Sequence, residues 1–476
     1  MNRFYVVVFI CVFAVTAGFA QNTFKAIGPE EPEVEYLEKP YSKFPVPREL
    51  RRVAVEVFFD LTPTIMRFSM PCYPCMVTEN GIHFSNGWTE TYDPRASSSC
   101  EVLWDKEARY ARMWIESRNP ARIIVRVRAA LADPDGRIAH NDIPSGSPYG
   151  KGDWTDEWYT IYPDGTHTRY VRIYTGLAEQ SVTVTDQLFD GRVPIAEIPP
   201  RVVHEFQEDF IFGLTGHWPG DDIETAPKTL IMLDGSQKTI SYKPYPKDFG
   251  EFAAAPIKVI NTRSRYKPFT ISIPCGIENE PYPPEGDLPY GFQTWLKHRT
   301  KGGYSVSLGH TLNWWHYRRT DKLLEQVYVS GMTDSKDPAK TLLPLAQSWL
   351  RPPRLVMEGL EPAYRTMIYD PAQLAYILPM ENRGPRRLEF ALDEYSHEEG
   401  SNFPVWIVNP VFVLKDWGKS SLSLRVNGKT VQPGKDFRIG YERTHTGTDC
   451  VLWLKMESRK KVNFEILPKQ RQGKGD

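Results

Sequence analysis

A period-two alternation of apolar and charged residues constrains this chain more than any other feature, and it recurs from Arg51 onward. In "RIIVRVRAAL", Arg126 and Arg128 alternate with Val125 and Val127. In "RRLEFALDEY", Leu388, Phe390 and Leu392 share one face while Glu389 and Asp393 share the other. "RYVRIYTG" and "QSVTVTD" repeat the pattern. Side chains on a strand point alternately to its two faces, so this spacing predicts strands packed on one face and wet on the other, as antiparallel sheets are. Helical signals are few and short, the clearest being "PLAQSWL" and "PAQLAYIL". The 40 prolines further disfavour long helices. The expected fold is mainly β, with a large antiparallel β-sandwich body and a small C-terminal β-sandwich module.

Boundaries follow from composition. Met1-Asn2-Arg3, the apolar run "FYVVVFICVFAV" and the small residues around Gly18-Phe19-Ala20 have the three-part layout of a secretory signal peptide at 1–20, cut before Gln21. The run is short for a membrane span of about 20 residues, and no later stretch is apolar enough to cross a bilayer. The expectation is an exported protein, secreted or periplasmic, with no membrane span after cleavage. Residues 21–50 are rich in proline and charge without periodicity and read as an extended leader. The body is expected over 51–402 and the small module over 403–468, where Asn427-Gly428 is a strong hairpin-turn signal. Residues 469–476 read as a disordered tail. No chemistry-bearing cluster stands out in the module, which is assigned a supporting role.

The formal charge of −1 argues against a nucleic-acid partner, because no basic excess exists to neutralise phosphates. Beyond Cys11 the chain has Cys72, Cys75, Cys100, Cys275 and Cys450. The odd number leaves at least one thiol unpaired, and the pairing is open. "CYPC" at 72–75 has no second pair to complete a zinc site, so a local disulfide or buried thiols are expected. No GxSxG, P-loop, GxGxxG or HExxH pattern occurs, and neither a metal nor a cofactor is called for.

Three clusters carry candidate chemistry. "HNDIPSGSPYGKGDWTDEWYTIYPDGTHTRY", 140–170, gathers His140, Asn141, Asp142, Tyr149, Lys151, Trp154, Glu157 and Trp158 around a long glycine- and proline-rich loop that leads into a hairpin. Long irregular loops in compact domains are often functional, while the bland alternative is surface decoration. "RVVHEFQEDFIFGLTGHWPGDDIE", 201–224, offers His204, His217, Asp221 and Asp222; His204 reads equally as a core histidine. "GHTLNWWHYRRTDK", 309–322, sets Trp314, His316 and Arg318 on one strand face. An aromatic surface with a guanidinium suits a sugar acid, and cation–π packing on a sheet is the structural alternative. The first two clusters are expected to form opposite walls of one site.

"YGKGDWTDEWYTIYPDGT", "VVHEFQEDF" and the terminal "NPVFVLKDWG…VNGKTVQPGKDFRIG" stretch resemble the secreted β-supersandwich, galactose-mutarotase-like proteins that act on polysaccharides, among them uronic-acid lyases. The resemblance touches about half the chain and implies a polysaccharide or oligosaccharide partner. It implies β-elimination on an acidic glycan, with His140, Tyr149, His204 and His217 matching acid–base roles by type. Asn141, Lys151, Trp154, Trp158, Trp314, His316 and Arg318 would bind substrate. The helical toroid domain common in such lyases is not apparent in the sequence. Two other readings stay open: a non-catalytic glycan-binding surface protein, and a glycoside hydrolase using paired carboxylates from Asp142, Glu157, Asp221 and Asp222. The oligomeric state is not legible in the sequence.

Overall fold

The computed structural model describes residues 54–69, 73–105, 108–177, 202–212, 219–274, 277–281, 305–313, 318–357, 368–379, 384–393 and 405–469, with short strands at 24–25, 33–37 and 291–292. The protein is mainly β, as the alternation predicts. Two large antiparallel sheets form the body. A 12-stranded sheet takes in Ala54–Phe58, Ile65–Ser69, Tyr73–Val77, His83–Ser85, Val202–Phe212 and Ser305–Asn313. A 10-stranded sheet runs from Gln237–Ile240 through Ile223–Ile231, Ile257–Thr262, Lys267–Ile271, Leu323–Thr333, His167–Tyr174, Trp154–Ile161 and Arg122–Ala130 to Arg112–Asn119.

The two sheets pack face to face. Val57, Phe68 and Phe210 from the first meet Val125, Val127, Tyr159 and Ile161 from the second, all buried. The space between the sheets also holds charge. Glu157 accepts a two-point fork from Arg169, Nε to Oε2 at 2.8 Å and Nη2 to Oε1 at 3.0 Å. Asp209 faces the ammonium groups of Lys228 and Lys258, each at 2.8 Å.

The outer face of the 10-stranded sheet is covered in two places. The helix Pro338–Leu350 lays Leu342, Ala346 and Trp349 over Val259, Phe269, Val327 and Val329. The second cover is a smaller sandwich of two 5-stranded sheets around Phe390, Phe412, Trp417 and Phe464. Its strands come from Arg354–Met357, Tyr369–Asp370, Ala375–Leu378 and Leu388–Asp393 as well as from the chain beyond residue 405. One of its pairings, Ala375–Leu378 with Val411–Leu414, is parallel. The Asn427-Gly428 turn forms as expected, both residues adopting positive φ between the strands Leu422–Val426 and Lys429–Val431.

Side chains from both bodies seal the junction. Glu442 binds Arg122, Arg438 reaches Asp60 at 2.9 Å, and Asn409 donates to Asp164 at 2.8 Å. Cys75, Cys100 and Cys450 are free, buried thiols. Burial pushes the Cys75 thiol up to about 12, so it is inert rather than redox-active at neutral pH. Cys72 and Cys275 lie outside the described residues. No helix among the described residues is long and apolar enough to cross a membrane.

Candidate functional site

Register on the outer sheet face builds the site. Arg128, Asp156, Arg172 and Glu325 are successive cross-strand partners, so cations and carboxylates alternate along one row. The neighbouring row holds Trp114, Arg126, Trp158 and Tyr170. Opposite charges on directly facing positions stabilise a sheet, and this order avoids like-charge neighbours on those strands.

The aromatic rings and guanidinium groups interleave. The Arg126 guanidinium lies 5.0 Å from the Trp114 ring and 4.4 Å from the Trp158 ring. Arg172 lies 5.5 Å from Trp158 and 5.5 Å from Tyr170. Each such contact contributes about 0.5–1 kcal/mol at an exposed site and holds the ladder upright. The Trp158 ring therefore stands between two cations, with its indole N–H donating to Glu116 at 3.2 Å.

Two tyrosine–carboxylate–arginine units flank Trp158. The Tyr149 hydroxyl donates to Asp156 and accepts from Arg126 Nη2 at 3.0 Å, while Arg126 also donates to both Asp156 oxygens at 3.2 and 3.0 Å. The Tyr170 hydroxyl donates to Glu325 at 2.5 Å, and Arg172 Nε donates to Tyr170 at 2.9 Å and Glu325 at 2.8 Å. Burial, then the hydrogen bond to Asp156, pushes the Tyr149 hydroxyl up to about 12. Burial and Glu325 raise Tyr170 likewise. Both phenols stay protonated at neutral pH, with each hydroxyl proton held by the neighbouring carboxylate.

Beside this face runs a groove of about 680 Å³, between the large sheet and the small sandwich. Trp158, Tyr170 and Arg172 line one wall; Tyr369, Lys415 and Arg443 line the other. A drug- or oligosaccharide-sized ligand fits such a volume. A tighter cavity beside Trp349 and Tyr369, about 30 Å³, holds no more than a water or so.

Three of the groove's four carboxylates are committed to protein donors, while Glu116 is 43% exposed and holds the Trp158 N–H through Oε2. Asp370 accepts from Ala372 N at 2.9 Å and Gln373 Nε2 at 2.7 Å. Asp449 accepts from Lys415 and from Asp416 N at 2.9 Å, and Glu442 accepts from Arg122, Ser117 and Asn119. Arg172, with 37% of its side chain exposed, and the exposed Arg443 supply cationic donors from opposite walls. The small module, assigned a supporting role from sequence, thus furnishes one wall, including charged groups.

The sequence candidates are distributed unevenly around this groove. Trp158 lines it, and Tyr149 lies on the same sheet face beyond Trp158. Trp154 is buried beneath Tyr149, ring centroids 5.6 Å apart, with its indole N–H on the Lys151 carbonyl at 3.2 Å. Lys151 and Asn141 are exposed. His140 is buried at the loop's root with positive φ; its Nδ1 is 2.7 Å from Asp153 and its backbone N–H donates to Asp93 at 2.9 Å. No hydrogen bond joins it to Tyr149 among the described residues.

The four alternative carboxylates fall in three separate places. Asp142 pairs with Arg95 at 2.6 Å on the surface. Glu157 points to the core side, one residue out of phase with Trp158. Asp221 and Asp222 sit in the 3-10 turn Pro219–Asp222. His204 is on the strand Val202–Phe212, opposite Glu90 in the other large sheet, so the 201–212 stretch does not form the groove's second wall. Its side chain lies outside the described residues, as do His217, Trp314, His316 and the side chain of Arg318, whose backbone pairs with Glu325.

Arg126, Arg128, Arg172 and Tyr170 were not singled out from sequence. The signal was partly present: Arg126 and Arg128 stand two apart on Arg122–Ala130, and Tyr170 and Arg172 stand two apart on His167–Tyr174, where a wet face would equally carry lysine or glutamate.

No known sequence family matches the chain, and no curated protein matches it in sequence. Among solved structures it is similar to an alpha-mannosidase from Enterococcus faecalis, with 8% identity, a TM-score of 0.31, and 87% of this chain and 43% of the other covered. A polysaccharide lyase is similar at 8% identity and a TM-score of 0.15, over 90% of this chain and 47% of that one. The chain spans less than half the length of either protein. Likenesses this distant carry no argument about the fold or the site.

Proposed function

We propose that the protein is an exported carbohydrate-active protein that holds an acidic glycan in the groove between the large sheet and the small sandwich. One observation carries this reading: Asp370, Glu442 and Asp449 are taken up by protein donors, while Arg172 and Arg443 face the groove from opposite walls beside Trp158 and Tyr170. Forked guanidinium donors match a sugar carboxylate. Export rests on the Met1–Ala20 segment, and Gln21 at the N-terminus of the secreted protein is the result that supports it.

The catalytic form of this reading is a polysaccharide lyase. It is favoured by the Tyr170–Arg172 pair, a protonated phenol next to a guanidinium. In β-elimination the guanidinium neutralises the uronate carboxylate and the phenol protonates the departing glycosidic oxygen, while a base removes the ring proton. The described groove residues include no histidine to act as that base. Binding is therefore the conclusion, and cleavage is its extension.

Incubating the mature protein with uronic-acid polysaccharides, while following ultraviolet absorbance, reducing ends and binding by calorimetry, tests both. Heat of binding that Arg172→Gln removes supports the groove. A rise in absorbance from a new conjugated double bond supports the lyase. Reducing ends without that rise point to hydrolysis, and no binding to any acidic glycan overturns the reading.

A further inference from the structure

On the far side of Trp158 from Arg172, the outer sheet face carries a guanidinium without an acceptor. Arg126 is satisfied by Asp156 and Tyr149. Arg112 donates Nη1 to the carbonyls of Ala108, Arg109 and Ala111. Arg128, between these two, lies 4.5 Å over the Tyr149 ring. It has no hydrogen bond or ion pair among the described residues, and its Nε is buried without a partner. Its cross-strand neighbour Asp156 is already bonded to Arg126 and Tyr149. A desolvated N–H on a permanent cation requires an acceptor, and an anion supplies the best one.

We infer that Arg128, backed by Arg126 and Tyr149, is a second anion-reading subsite on the same face, and that the ligand is a glycan bearing an acidic group on at least every second sugar. This rests on the groove reading above. Arg128 and Arg172 are the two cross-strand neighbours of Asp156, so their backbones stand two strand spacings apart, about 10 Å. That separation is on the scale of a disaccharide. Successive sugars of an extended chain present alternate faces, so acidic groups on every second sugar point the same way and can meet both arginines. An acid on the intervening sugar points away from the sheet and meets neither arginine.

Calorimetry on the full chain tests this with two sets of oligosaccharides. One set alternates a uronic acid with a neutral sugar, as disaccharide and tetrasaccharide; the other is the matching homo-uronate series. The alternating tetrasaccharide is expected to bind about tenfold tighter than its disaccharide, because the second contact is made intramolecularly. Arg128→Gln should erase that gain and leave disaccharide affinity unchanged. Arg128→Lys, which keeps the charge but loses the fork, should retain part of it. A tetrasaccharide no tighter than its disaccharide in either set, or an Arg128→Gln variant with the gain intact, would overturn the second subsite. Failure of every acidic oligosaccharide to bind would instead overturn the groove reading beneath it.

Discussion

Glu442 of the small sandwich accepts two hydrogen bonds from Arg122 of the large sheet, Nε at 2.8 Å and Nη2 at 2.7 Å. The pair is almost fully withdrawn from water, and Arg122 also donates to Gln373 at 2.9 Å. Both residues line the base of the groove, so this clasp fixes the spacing of its walls. Glu442→Ala would strand a buried guanidinium. We expect it to cost about 3–5 kcal/mol in urea unfolding, the range for breaking one side of a buried pair. A loss under 1 kcal/mol would show that the junction is held by its apolar contacts alone.

The same junction has no room beside Gly440. A Cβ there would meet Asn119 Oδ1 at 1.7 Å and Cγ at 2.3 Å. Asn119 cannot easily yield, because its Oδ1 accepts from the backbone of Ala121 at 3.0 Å and Arg122 at 3.1 Å. Gly440→Ala should therefore destabilise by about 1–3 kcal/mol, as overpacking does. Limited proteolysis should then cut the connections around the small sandwich sooner than in the parent protein. An unchanged digestion pattern and melting point would sink this account.

The fold was legible because strand faces alternate with a period that sequence displays directly. Leu388, Phe390 and Leu392 face the small sandwich's core as their spacing predicts. The site was legible only in part. Trp158 and Tyr149 stood out as chemistry in a breaker-rich segment, and both reach the same face. Glu157 was misleading, because a carboxylate one step from Trp158 reads as wet, whereas its phase sends it inward to Arg169. The second wall depends on which distant strands dock against the sheet, as with Lys415 and Arg443, and local periodicity holds no information about docking.

Asp209 lies between two lysines where one would balance it. Lys228 and Lys258 each approach to 2.8 Å, and all three side chains are buried, which leaves one surplus cation in the core. Asp209→Asn would leave both ammonium groups without a counter-charge. A loss of about 3–5 kcal/mol is expected from urea unfolding at pH 7. Lys258→Met keeps the balanced Asp209–Lys228 pair and gives up the Lys258 contacts with Asp209 Oδ1 and Thr311, each 2.8 Å, together with the desolvation of the surplus ammonium, so it should cost much less than Asp209→Asn. The reverse order of the two variants would mean that the surplus charge is matched by a group outside the cluster.

The same cluster gives stability a characteristic pH dependence. Burial would raise the Asp209 carboxyl, but Lys228 and Lys258 outweigh it and hold it below the usual carboxylate range. Burial would likewise raise Glu442, and Arg122 overcomes it. A carboxyl depressed in the folded state contributes stability that is complete above its unfolded pKa, about 4, and is lost as pH falls through the folded value. Lys258 acts on the alkaline side. Burial lowers it to about 8, against the partial support of Asp209. Between about 8 and the unfolded lysine value near 10.4, the unfolded chain binds the extra proton, so this group makes stability rise with pH in that interval. Urea midpoints should therefore fall below about pH 4 and gain a lysine-dependent increment between pH 8 and 10. Lys258→Met should abolish the alkaline increment and leave the acid limb in place. An alkaline slope identical in the variant would show that Lys258 is not the group that titrates there.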